Sequence, residues 1–263
     1  MLTELAGPTG PFRDPHVFIG GDEVDTACWE ENSDIGDWLA KRGMNVTELQ
    51  GYHESTLSGW LRKGGPGVAK HVIAWQEAFS RAVDPVATLG TDALVDVWLG
   101  SNDDAPFDRA TMLAVTGSGL GALVSACWYL DGLHKETARG REWINYYQCD
   151  PQDFNGTDAQ HKRVRGGHAC IWGEATDATN LLPRIWPRLA AVAERLWSPR
   201  ERANDAVDFG GRLHAHRCRL LERGIAASPV GAVSDPAVPS NLTIGPGSRS
   251  FCEADLRFSY QAP

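Results

Sequence analysis

Five short apolar runs, each closing on glycine or tryptophan, recur along the chain: HVFIGG at 16–21, KHVIAW at 70–75, ALVDVW at 93–98, GALVSACW at 121–128 and GHACIW at 167–172. Runs of this length, rich in Val, Ile and Leu, read as buried strands. Helical patterns lie between them, such as Leu49, Tyr52, Thr56, Leu57, Trp60 and Leu61 behind a cap at Thr47, and a second pattern from Pro106. Pro183 and Pro187 begin or kink a long helix over 181–197, and a further helix, from Ala206 to Arg223, stops at Gly224. Alternation of strand and helix favours a parallel α/β sheet or barrel. The stretch 226–250, rich in Pro, Gly and Ser, reads as loop or linker.

Composition narrows the partners. With 42% hydrophobic and 22% charged residues, a chain of 263 residues has the make-up of a soluble globular protein. Its formal charge of -9 argues against nucleic acid or an anionic membrane, because phosphate binding relies on a surplus of Lys and Arg. No apolar run approaches the roughly 20 residues that span a bilayer. Acceptor sequons at Asn45, Asn155 and Asn241 stand against a purely cytosolic reading. The six cysteines contain no Cys-x-x-Cys pair, which leaves zinc ribbons and thioredoxin-type sites poorly supported. His214 and His216 diverge by about 200° on a helix, so they do not form a metal pair.

The strand ends carry the chemistry. Asp22 and Glu23 follow the first run, Trp75 and Trp98 close the second and third, Trp128 and Tyr129 the fourth, Trp172 and Glu174 the fifth. In a (β/α) barrel these C-terminal ends converge on the face where active sites are built. A pyranose has one apolar C–H face that stacks on an aromatic ring and a rim of hydroxyls that need polar partners, so aromatic residues mixed with carboxylates point to carbohydrate. Adjacent acids on a strand would face opposite ways; Gly20 and Gly21 allow the turn that brings them together.

Six segments in order, FIGGDEVDTACW, IAWQE, VDVW, SACWYLD, GGHACIWGE and PRIWPRLAAVAERLWS, resemble the β-N-acetylhexosaminidases of glycoside hydrolase family 20, especially the eukaryotic lysosomal and secreted type. The resemblance implies an α/β chain folded as a (β/α)8 TIM barrel, here incomplete: about strands 4 to 8 with the C-terminal helices. It implies a barrel part over 1–225 and a tail over 226–263 stapled by Cys218 and Cys252. It also implies that the first strands, a sugar-binding arginine, a signal peptide and the disulfide partner of Cys28 lie upstream.

The implied activity is exo-hydrolysis of terminal β-linked N-acetylglucosamine or N-acetylgalactosamine with retention, in which the substrate's own acetamido oxygen is the nucleophile. On this resemblance Glu23 is the general acid and base, and Asp22 holds the acetamido N–H. Trp75 and Trp98 wall the acetamido pocket, Tyr129 donates to the acetamido oxygen, Trp172 is the stacking floor, and Asp131 and Glu174 accept from sugar hydroxyls. Asp25 orients the acid pair. No metal or organic cofactor is required. Asp131 and Gly132 stand where relatives accepting 6-sulfated sugars carry Asn and Arg, which implies a preference for neutral sugars. The implied partners are N-acetylhexosamine-terminated glycans and a second copy in a homodimer, in a lysosomal or secreted setting.

Phe18 and His168 depart from the family pattern, which usually has His and an acid there. Two alternatives stay open: a noncatalytic remnant or sugar-binding module, and a conventional retaining glycosidase with Glu174 as nucleophile.

Overall fold

A computed structural model describes residues 14–63, 70–100, 106–132, 141–231 and 252. The chain divides into two compact units, one running to Ala126 and including Pro151–Gly167, the other comprising Cys127–Asp150 and the residues from His168 onward. The strands are β1 (His16–Phe18), β2 (His71–Trp75), β3 (Leu94–Val97), β4 (Gly121–Val124) and β5 (Val164–Gly167). The helices are α1 (Ala27–Glu30), α2 (Ser33–Ala40), α3 (Val46–Lys63), α4 (Gln76–Ser80), α5 (Pro85–Leu89), α6 (Arg109–Gly117), α7 (Glu142–Gln148), α8 (Asp158–His161), α9 (Leu181–Ile185), α10 (Arg188–Trp197) and α11 (Ala206–Glu222).

The first unit holds a five-stranded, all-parallel sheet in the order β1-β2-β3-β4-β5. Parallel neighbours need a long crossover, and a strand order that follows the sequence is that of a (β/α) barrel wall. Val72, Ala74, Val95, Val97, Ala122 and Val124 are at most 1% exposed. In β2 and β4 they alternate with half-buried residues, so one face of each strand is fully covered; in β3 Asp96, on the other face, is buried as well. Leu89, Phe107, Met112, Val115 and Leu120 are fully buried around them. Each such large side chain stabilises the fold by roughly 1.5–3 kcal/mol.

Three details differ from the sequence reading. The fifth strand is Val164–Gly167, so only the first residue of the GHACIW run lies in it, and the run otherwise contributes a bridge between Tyr129 and Cys170. Half of β5 is glycine, so it is held by backbone pairing to β4 rather than by apolar side chains. Secondly, α3 begins at Val46, where Asn45 and Glu48 satisfy each other's backbone N–H groups at 3.0 and 2.8 Å; Thr47 lies inside the helix. Thirdly, α3 turns a largely polar stripe inward: Gln50, Glu54, Ser58 and Leu61 are buried, whereas Tyr52 and Trp60 are exposed. Ser58 donates to the Leu89 carbonyl at 2.9 Å, which satisfies part of that stripe.

In the second unit α7 packs on α10 and α11. Tyr147 stacks on Phe209 with centroids 4.5 Å apart, and Trp143 meets the same ring edge-on. The prolines split the long helical pattern into α9 and α10, with Pro187 at the N-cap of the second. Cys218 and Cys252 form a disulfide, and so do Cys127 and Cys149, a pair that the sequence left unassigned. Arg217, buried on α11, donates to the Ala227 and Ser228 carbonyls and anchors the segment beyond that helix. No helix among the described residues is long and apolar enough to cross a membrane.

Candidate active site

In the first unit, hydrogen bonding between β1 and β2 continues past the strand ends: Ile19 N–H donates to Ile73 at 2.9 Å, and Trp75 N–H to Gly20 at 3.0 Å. There the chain swings away through Gly20 and Gly21, whose φ values are 79° and 99°. A Cβ on Gly21 would also meet Glu54 Oε1 at 2.8 Å and Ala78 Cβ at 3.0 Å. Both the backbone conformation and the space therefore require glycine at 21. Asp22 is half-buried and Glu23 exposed just beyond. Glu23 itself has φ 45°, a left-handed conformation that side chains rarely adopt. Asp25 accepts from the Ala27 N–H at 2.9 Å, so it shapes the entry to α1.

Sequence reasoning missed what lies behind this turn. Gln50 donates to the Gly21 carbonyl at 2.9 Å and to Glu54 Oε1 at 2.8 Å, while Arg81 donates to the Val24 carbonyl at 2.9 Å. The polar spacing of Gln50, Glu54 and Ser58 on one helix face was the available signal.

Burial holds the Glu54 carboxyl above the usual carboxylate range, against the opposing Gln50 hydrogen bond and Arg81 charge. Folding therefore favours its protonated form. That contribution is complete below the ordinary value of 4.5 and is lost as pH rises through the folded-state value. Glu54→Gln keeps an acceptor and removes the charge. The variant should match the parent at pH values near 4 and melt higher than it, by a few degrees, at neutral pH. Melting curves across that range check this; a gap independent of pH would contradict it.

The aromatic residues of the first unit form a chain along the strand ends. Phe18 and Trp75 lie 4.8 Å apart, and Trp75 and Trp98 lie 6.2 Å apart edge-to-face. The first turn of α4 fixes Trp98: Glu77 Oε2 accepts its indole N–H at 2.8 Å, and Gln76 Oε1 accepts the backbone N–H of Trp98 and of Leu99. Trp75 is 9% exposed and Trp98 half-buried. Asp96, fully buried, accepts from the Ser125 hydroxyl at 2.7 Å.

The second unit brings Tyr129, Asp131 and Trp172 together. Tyr129 pairs with Cys170, Leu130 N–H donates to the Cys170 carbonyl at 2.8 Å, and Trp172 N–H donates to Asp131 Oδ1 at 3.1 Å. This presents the Trp172 ring 42% exposed; Glu174, also exposed, follows two residues on. Arg184 donates to the Asp131 carbonyl at 3.2 Å, and the Tyr146 hydroxyl to the Tyr129 carbonyl at 3.1 Å. Burial, then neighbouring Glu142, pushes the Tyr146 phenol well up, so it stays a donor.

Asn45 and Asn155 are exposed, and Asn241 lies outside the described residues. His214, Cys218 and Cys252 cluster, but two of these three potential metal ligands are joined in the disulfide.

Residues 4–200 match the family model for the catalytic domain of glycosyl hydrolase family 20, and the chain belongs to that family. The beta-hexosaminidase subunit beta of Sus scrofa is 41% identical over 221 residues, which cover 83% of this chain and 38% of its own length. The Homo sapiens subunit beta is 40% identical, covering 84% of this chain and 37% of its own length. The chain thus spans well under half the length of these curated relatives. Among solved structures, a chitobiase from Flavobacterium johnsoniae superposes with a TM-score of 0.64 at 27% identity, over 79% of this chain and 29% of that one. The five parallel strands are those of an incomplete barrel of this family.

Proposed function

We propose that this chain carries catalytic residues of an exo-acting β-N-acetylhexosaminidase that removes terminal N-acetylglucosamine or N-acetylgalactosamine from glycans with retention. The observation that supports it best is the turn after β1, where two consecutive glycines and a left-handed Glu23 set an acid pair at a strand end in a family 20 catalytic domain. Glu23 protonates the leaving oxygen and then activates water. Asp22 holds the acetamido N–H and stabilises the charge that develops as the acetamido oxygen closes on the anomeric carbon.

Trp75 and Trp98 wall the acetamido group, Tyr129 donates to its oxygen, Trp172 stacks beneath the ring, and Asp131 and Glu174 take hydroxyls. In this reading residues 1–225 are barrel and 226–263 tail. The protein works as a homodimer in the lysosome or outside the cell. Two disulfides and exposed sequon asparagines suit that setting.

The test compares aryl β-N-acetylglucosaminide with the aryl β-glucoside lacking the acetamido group. Only the first should be cleaved, and a thiazoline that mimics the cyclised intermediate should inhibit tightly. The 6-sulfated glycoside should be slower, because the Asp131 carboxylate repels a sulfate and Gly132 supplies no cation. Equal cleavage with and without the acetamido group would rule out substrate assistance and favour Glu174 as nucleophile; binding without cleavage would favour a sugar-binding module.

A further inference from the structure

The two carbonyls that bracket Asp22 and Glu23 are both held from behind, by side chains bonded to each other. Gln50, 4% exposed on α3, donates to Gly21 at 2.9 Å; Arg81, just after α4, donates to Val24 at 2.9 Å; Arg81 Nη1 also reaches Gln50 Oε1 at 3.3 Å. Glu54, 3% exposed, takes a Gln50 N–H at 2.8 Å, and its carboxylate fills the space that a side chain at Gly21 would need.

The amide of Gln50 is thus fixed at both ends: its nitrogen is shared by a carbonyl and a carboxylate, and its oxygen is bonded to a guanidinium. The segment it grips contains Glu23, whose φ of 45° persists only if surrounding contacts hold it.

We propose that Gln50 and Arg81 are positioning residues for the Asp22–Glu23 pair, acting as a clamp on the flanking carbonyls; the catalytic consequence rests on the glycosidase reading above. Holding reacting groups within a fraction of an ångström of their working geometry is worth one to two orders of magnitude in rate. Glu23 acts on the bond being broken and Asp22 gains most as charge develops on the acetamido group, so the clamp acts more on turnover than on binding.

The test uses Arg81→Ala, an exposed position where folding is not at risk, and Gln50→Met, which keeps the buried volume while removing both hydrogen-bonding ends. Exchange of the Trp75 amide, which donates to Gly20 beside the clamped segment, is the first readout. It should quicken about tenfold in each variant, the size set by one hydrogen bond of ordinary net worth. In the second readout, kcat for an aryl N-acetylglucosaminide should fall between about tenfold and about a hundredfold with KM little changed, and Arg81→Lys should restore most of the loss.

Unchanged exchange in both variants overturns the clamp, as does faster exchange with kcat intact. Where the parent shows no turnover, the kcat readout does not apply and the exchange rates, which need no turnover, decide the clamp.

Discussion

Glu23→Gln is expected to lower turnover of substrates with poor leaving groups by about 10²–10⁴-fold, the range that a positioned general acid contributes. Glutamine has nearly the shape of glutamate and the same backbone preferences, so the left-handed turn that φ 45° describes is neither relieved nor worsened. Folding stability should stay within about 0.5 kcal/mol of the parent. The loss should shrink with an activated aryl leaving group, which departs without a proton, and the limb of the pH–rate profile that reports the acid should vanish. Asp22→Asn should lose turnover on both kinds of substrate, because it weakens the charge stabilisation needed as the acetamido group closes. Steady-state kinetics on a matched pair of leaving groups separates these roles. A Glu23→Gln variant that hydrolyses the poor substrate at the parental rate would remove Glu23 from the mechanism.

Arg188→Met should be the most damaging single change to the fold of the second unit. The guanidinium of Arg188 bonds the Glu142 carboxylate, the Leu130 carbonyl at 2.5 Å and the Arg184 carbonyl. Glu142 is 1% exposed and Arg188 8%, so removing the cation takes this counter-charge from a carboxylate in the interior. Breaking such a buried pair costs about 3–5 kcal/mol, and each kcal/mol lowers the melting temperature by about 2–4 °C in a chain of this size. Replacing both partners, in Arg188→Met with Glu142→Leu, should recover most of the loss, since the desolvation cost of both ions is then avoided. Thermal melts of the two single variants and the double variant form the cycle. A double variant as unstable as the worse single one would mean that the damage comes from lost packing or from the Leu130 contact, not from the broken ion pair.

Much of the barrel wall was legible because its strands are short runs rich in Val, Ile, Leu and Ala, closed by glycine or tryptophan. Val72 and Ala74, or Val95 and Val97, point to a fully covered face, and with half-buried Ile73 and Leu94 beside them the sequence shows nearly unbroken apolar runs. The segment forming β5 gives no such signal: Val164-Arg165-Gly166-Gly167 contains one large apolar residue, and its pairing to β4 is made by backbone groups common to every residue. The helix α3 was legible as a helix but not in its orientation. Its apolar residues outnumber the polar ones that face inward, and what turns it is the polar turn after β1, where Gln50 finds the Gly21 carbonyl 29 residues away. Arg81 reaches Val24 across 57 residues, a distance at which no local pattern speaks. The acid pair and its glycines could be read because the reason for them is local: φ values of 79° and 99° demand glycine whatever lies elsewhere. Of the cysteines, the pairing of 218 with 252 came through the family resemblance. That of 127 with 149 had no signal, since six cysteines allow about fifteen connectivities.

The conformation of Glu23 bears on what selection has been acting on. A left-handed glutamate costs the fold on the order of 1 kcal/mol relative to glycine, and asparagine would also sit there more comfortably. A lineage released from catalysis and kept only for its folded shape would gain stability by drifting to either residue, through a short mutational path and with nothing to oppose it. Position 23 is therefore a place where decay leaves a mark early. A glutamate there carries a backbone cost that a residue serving shape alone does not need, in keeping with the catalytic role proposed for it.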